Sequence, residues 1–135
     1  MLAPYQNQRL LIRKLFSTAK IVDIPLISDV IDLYDRQFDL LIALEVFDGV
    51  SDVDTSLRNL LKSCRYLWLQ DRVDDSSISS SDVVRFKYLP LVVSSVPRAY
   101  DLSPLDDRML NFTVYPSGRG FTHFMAFFLG DNCAP

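Results

Sequence analysis

Five consecutive apolar residues, Leu40-Leu41-Ile42-Ala43-Leu44, constrain the fold of this chain more than any other feature. A strand wetted on one side alternates apolar with polar residues. A strand apolar at every position belongs between two covering layers, as in parallel α/β sheets. Downstream, Ser51 or Asp52 offers a side-chain oxygen to cap a helix. Val53, Leu57, Leu60, Leu61 and Cys64 then recur at helical period. Lys62 and Arg65 supply the charge that suits a helix C-terminus. Tyr66-Leu67-Trp68-Leu69 reads as a second short buried strand. Strand, helix and strand within about 30 residues form a βαβ unit, with both strands parallel.

Around this unit the pattern is more varied. Tyr5 to Thr18 reads as a helix, with Leu11 and Leu15, and Ile12 and Phe16, four residues apart. Lys20 to Ile27 is β-branched and apolar and reads as a strand, with Pro25 suggesting an edge or a strand start. A polar connector follows from Asp32 to Gln37. Asp71 to Asp82 is polar and serine-rich and reads as an exposed loop; Ser79, with Asp82 three residues on, suits phosphorylation or simple solvation. Val83 to Val93 fits either a helix or a strand, and Pro97, Pro104 and Asp106-Asp107 mark further loop. Met109 to Tyr115 and Phe121 to Leu129 flank Pro116-Ser117-Gly118-Arg119-Gly120, the pattern of a β-hairpin. Apolar residues on both faces of the last run place it inside the sheet. The expected architecture is a single α/β domain: a βαβ region over 19–71, a loop-rich connector over 72–108 and a hairpin over 109–130.

With 135 residues the chain can bury a core without metal or disulfide support. No apolar run approaches the roughly 20 residues that span a bilayer, and residues 1–20 lack a secretory pattern. A soluble, intracellular, cytoplasmic protein without membrane contact is expected. Cys64 reads as a buried thiol and Cys133 as a tail residue, with no disulfide framework. No thiol or imidazole pair has ligand spacing, and Asp52-Val53-Asp54 lacks the glycine and distal glutamate of a calcium loop, so no metal is expected. The formal charge is −3, yet Arg9, Arg13, Lys14 and Lys20 precede the first acidic residue, Asp23. That basic helix could meet nucleic acid or an acidic partner, or simply be a solvated face. Glu45 is the only glutamate and His123 the only histidine. His123 titrates near neutrality when unperturbed and is the default general base, against the alternative of a hydrogen-bonded sheet histidine. Glu45 has a surface charge at a strand end as its alternative.

The segment Ser28-Asp29-Val30-Ile31-Asp32, followed by Gln37-Phe38-Asp39-Leu40-Leu41-Ile42-Ala43-Leu44-Glu45-Val46, resembles class I S-adenosylmethionine-dependent methyltransferases. Members of that family often carry an acidic residue after the third strand. A Phe-Asp pair then leads into the fourth strand, and a Glu-Val pair closes it. The helix at 53–64, the strand at 66–69 and the terminal hairpin fall where the family has its next helix, fifth strand and antiparallel sixth and seventh strands. The resemblance implies the C-terminal half of a Rossmann-like domain, a mixed sheet of parallel strands with a helical crossover and a terminal antiparallel hairpin. It implies S-adenosylmethionine as cofactor, with Asp29 near the adenine amino group and the Val30 backbone at the ring edge. Ala43, Leu44 and Glu45 would lie where cofactor and substrate meet, and Glu45 and His123 are the catalytic candidates. Asp39 reads as structural, fixing the turn into the strand.

Departures from the family are equally specific. All four glycines (Gly49, Gly118, Gly120 and Gly130) lie late in the sequence. The glycine-rich loop that admits the cofactor's amino-acid end therefore has no counterpart here. Asp48-Gly49 stands where many relatives have a histidine, and Lys62-Ser63-Cys64-Arg65 where they have a Pro-Gly turn. A sheet that begins at the family's third strand leaves an apolar edge to be covered. A non-catalytic or partner-dependent interaction module is therefore expected, regulatory or viral in setting, as a homo-oligomer or with a protein covering that edge. The alternatives are a methyltransferase completed by a missing N-terminal half or partner subunit, and an unrelated small α/β binding module.

Overall fold

The computed structural model describes residues 6–24, 30–33, 36–47, 50–73, 91–93, 96–98, 103–116 and 122–132. The fold is mixed α/β. Helix α1 (Gln6–Leu15) precedes strand β1 (Phe38–Leu44), helix α2 (Val53–Lys62) and strand β2 (Cys64–Val73). Short strands β3 (Leu91–Val93) and β4 (Val96–Arg98) come next, then a 3₁₀ turn over Ser103–Arg108. The hairpin strands β5 (Met109–Pro116) and β6 (Thr122–Leu129) close the order.

Strands β1 and β2 are parallel, from Phe38↔Cys64 to Leu44↔Gln70, joined through α2 as the apolar pattern predicts. On its other side β2 pairs antiparallel with β6 along its length, from Tyr66↔Leu129 to Val73↔Thr122. Strand β5 then pairs antiparallel with β6. The four long strands thus run β1-β2-β6-β5, and the small β3–β4 ribbon joins the end of β2 through Val73↔Leu91. The sheet is open, not a barrel.

Helix α2 begins where Asp52 accepts from the Thr55 N–H at 2.9 Å and from the Thr55 hydroxyl at 2.8 Å. These contacts hold the Asp52 carboxyl below its ordinary range. Its apolar side packs on the sheet face carrying Leu41, Ala43, Leu67 and Leu69. Phe47, Phe124 and Phe128 complete this main core. Burying each such side chain contributes roughly 1.5–3 kcal/mol. After β6, Gly130 donates to the Arg65 carbonyl at 2.8 Å and Asp131 to the Leu61 carbonyl at 2.8 Å, clamping the α2–β2 junction. A Cβ on Gly130 would stand 2.0 Å from the Cys64 carbonyl oxygen, so only glycine fits there.

The opposite sheet face holds a smaller cluster in which Ile12 of α1 meets Ile42 and Leu44, with Ile21 and Trp68 against them. Among the described side chains of α1 only Ile12 is buried; Leu11 and Leu15 remain 57% and 63% exposed.

Several expectations are corrected. Residues 20–24 form no strand; Ile21 and Ile24 plug the two clusters from an irregular path. Cys64 keeps the helical spacing but opens β2, because Ser63 already caps α2 by donating to Leu60. Asp71, Arg72 and Val73, expected as loop, extend β2, and Pro97 lies in β4. Asp39 stands exposed within β1 instead of fixing the turn before it. The expected loop over residues 74–82 and Cys133 fall outside the described residues.

Candidate functional site

The carboxyl ends of β1 and β2 bring together side chains far apart in sequence. Glu45, the first residue past β1, has φ 53, a left-handed backbone that a residue with a Cβ adopts at a cost. Its N–H donates to the Gln70 carbonyl at 2.7 Å, turning the chain back over the end of β2. Its carboxylate Oε1 lies 3.0 Å from His123 Nε2 and 3.8 Å from Arg72 Nε. The sheet register explains this meeting. Arg72 pairs with His123 across β2 and β6, and Tyr115 pairs with His123 across β5 and β6. Residues directly opposite in a ladder share a face, so one rung puts all three side chains on the same face, with Arg72 and His123 against Glu45.

The pair is sheltered, with the Glu45 and His123 side chains 11% and 10% exposed. The Tyr115 ring stacks on the imidazole, centroids 5.8 Å apart. Burial, and then the Glu45 charge, push the Tyr115 hydroxyl above its usual value. Nε2 is the ring nitrogen at hydrogen-bond distance from the carboxylate, and Nδ1 is the other. Among the described residues that buried Nδ1 has no hydrogen-bond partner.

Asp71 lies on the opposite face of β2 and is buried in the main core's side of the sheet. Its carboxylate accepts from the Arg72 N–H at 2.8 Å and, more loosely, from the Phe47 N–H at 3.4 Å. Burial outweighs those donors and lifts its pKa to about 7, with the nearby Glu45 charge adding to the rise.

Of the residues singled out in the sequence, Glu45 and His123 come together, a pairing 78 residues apart that sequence reasoning missed. Arg72, Tyr115 and Asp71 join them unforeseen. Ala43 and Leu44 lie at the expected strand end, but their side chains are packed in the two clusters. Val30 begins a segment fastened to α2, where Ile31 donates to the Ser56 hydroxyl at 2.9 Å and accepts from Asn59 at 2.9 Å. Asp29 falls outside the described residues. On the basic helix, Arg13 is ion-paired with Asp23. Among the described residues, no group of three or more potential ligands could hold a metal ion, and no helix is long and apolar enough to cross a membrane.

A second feature lies at the outer edge of β1. There a groove of about 450 Å³ runs between β1 and the α1 segment, floored by Phe38, Leu40 and Ile42 and walled by Ile12, Phe16 and Ile21. Among the described residues β1 pairs with β2 and with no strand at its other edge.

Comparison with protein-family models, curated proteins and solved structures finds no match to this chain.

Proposed function

We propose that the chain is a methyltransferase-like half-domain that acts through protein association at the open edge of β1, and is not a self-sufficient enzyme. The observation that carries this reading is the strand order. Two parallel strands with a helical crossover are followed by a final antiparallel strand inserted between β2 and β5. This is the order that the resemblance implies for the distal half of a class I methyltransferase sheet. In such a sheet the free edge of β1 is where the proximal half would pair.

The surroundings of that edge support the same reading. Parallel strands are normally covered on both faces and flanked on both sides. Here Leu40 is 36% exposed beside the groove, and α1 leaves Leu10, Leu11 and Leu15 exposed as well. A second copy of the chain, pairing edge to edge, is the occupant proposed for it.

S-adenosylmethionine does not fit this chain alone. The Ala43 and Leu44 side chains are buried in the core, and the described residues at the strand ends offer no glycine cradle for the amino-acid end. Asp29 and Val30 would supply the adenine side of a site and Glu45 the point where cofactor and substrate meet, the rest being completed by another chain. The pairing of Glu45 with His123 at the carboxyl end of β1 favours a second reading, in which a partner half restores methyl transfer.

Calorimetric titration with S-adenosylmethionine and S-adenosylhomocysteine separates the two. The interaction reading expects no heat from the isolated chain. Micromolar binding, lost in Asp29→Ala, would overturn it in favour of the enzyme.

A further inference from the structure

Independently of association through β1, we propose that the outward face of α1 is a docking surface for an anionic lipid membrane, on which the helix lies flat. Its exposed leucines and the charge around them both bear on this.

Ile12 is the residue of α1 that meets the sheet, against Ile42 and Leu44. At 3.6 residues per turn, positions 10 and 14 fall on the side of the helix opposite Ile12, and positions 11 and 15 lie next to them. The outward side therefore carries Leu10, Leu11 and Leu15, which are 49%, 57% and 63% exposed. Lys14, also exposed, is the helical neighbour of Leu10 four residues back and of Leu11 three residues back. Moving such leucines from water into an apolar phase is favourable. The lysine among them is no obstacle, because its stem lies along apolar surface while the ammonium reaches the headgroups.

Charge names the occupant. Residues 1–22 hold Arg9, Arg13, Lys14 and Lys20 and no acidic residue, a net charge of +4. The other 113 residues hold ten basic and seventeen acidic side chains, a net charge of −7. Asp23, ion-paired with Arg13, offsets one of the four basic charges. An anionic surface attracts this segment and repels the rest of the chain, which orients α1 against it. The phosphates of a nucleic acid would match the charge but leave the three leucines wet. A second copy set α1 against α1 would bring basic residues onto basic residues. Acidic headgroups over hydrocarbon match both features.

The ten residues of α1 make a helix about 15 Å long, too short to cross a hydrocarbon core of roughly 30 Å. A short helix with apolar and basic side chains on its exposed side is suited to lying in the membrane surface. Such contact departs from the membrane-free protein expected of the sequence, an expectation that rested on spanning runs and secretory signals.

Flotation of the full chain with lipid vesicles tests this surface. The chain should float with phosphatidylcholine vesicles containing about 30% phosphatidylserine at about 0.1 M salt, and stay in solution with phosphatidylcholine alone. Leu11→Gln with Leu15→Gln should weaken binding about tenfold and Lys14→Gln about fivefold, at unchanged Tm because all three side chains are exposed. The dimer expected through β1 responds to Leu40 and not to these residues, so either can fail without the other. The two vesicle types decide the matter on the unaltered chain even if a variant loosens α1. No flotation with the anionic vesicles, equal flotation with both, or binding untouched by the leucine changes would overturn the proposal. A preference for a DNA duplex over the anionic vesicles would overturn it too, assigning the basic segment to nucleic acid.

Discussion

Replacing Asp71 by asparagine removes a carboxyl that the fold keeps buried beside Glu45 while preserving its shape. In the folded chain Asp71 titrates at about 7, against an ordinary value of 3.8. The folded state therefore holds a proton that the unfolded chain releases between those two values. Stability from this group is complete below pH about 4 and is lost as pH rises to about 7. At about 1.4 kcal/mol per pH unit, the full loss is about 4 kcal/mol. Asparagine does not titrate, and it offers one acceptor oxygen where aspartate offers two. It keeps the short bond from Arg72 or the longer one from Phe47, and the missing bond costs about 1 kcal/mol at every pH. The variant should thus be about 1 kcal/mol less stable than the unaltered chain at pH 4 and about 3 kcal/mol more stable at pH 8. Urea unfolding of both proteins between pH 4 and 8.5 measures the difference directly, since other titrating groups cancel. A stability difference that does not change with pH would refute the reasoning, whatever its size.

Three further expectations rest on other parts of the fold. Gly130→Ala drives a methyl into the Cys64 carbonyl and should cost at least the 1–3 kcal/mol typical of overpacking, seen as a fall in Tm. Phe124→Ala empties a fully buried site in the main core and should cost about 3–5 kcal/mol by urea unfolding, with no change of secondary structure at low temperature. The Cys64 thiol is pushed up to about 12 by burial, helped by the Asp131 charge, so iodoacetamide at pH 8 should label it only once denaturant unfolds the chain.

The βαβ unit was legible because its signals are local. Leu40 to Leu44 is apolar at every position, Asp52 is a good cap, and α2 has a clean helical period. The hairpin was legible for the same reason, through its turn and flanking strands. Asp71-Arg72-Val73 misled because its polarity matches that of the serine-rich sequence that follows. Pairing with Phe124, His123 and Thr122 keeps it in the ladder, and a carboxyl that retains its proton can be buried there. Residues 20–24 misled in the other direction. Ile21 and Ile24 are apolar because each fills a different cluster, not because they lie in a strand.

The site was half legible. Glu45 and His123 each stood out as the single residue of its type. Nothing in a linear sequence joins them, since their meeting depends on β6 pairing with β2 in one register. A slip of one residue would send His123 to the opposite face.

Sedimentation velocity from one to one hundred micromolar, on the unaltered chain and on Leu40→Lys, tests the open edge of β1 most directly. Leu40 is exposed beside the groove, so lysine leaves both clusters intact while placing a charge on the edge. The expected result is a concentration-dependent dimer for the unaltered chain and a monomer for the variant. A monodisperse monomer for both across that range would contradict association through β1.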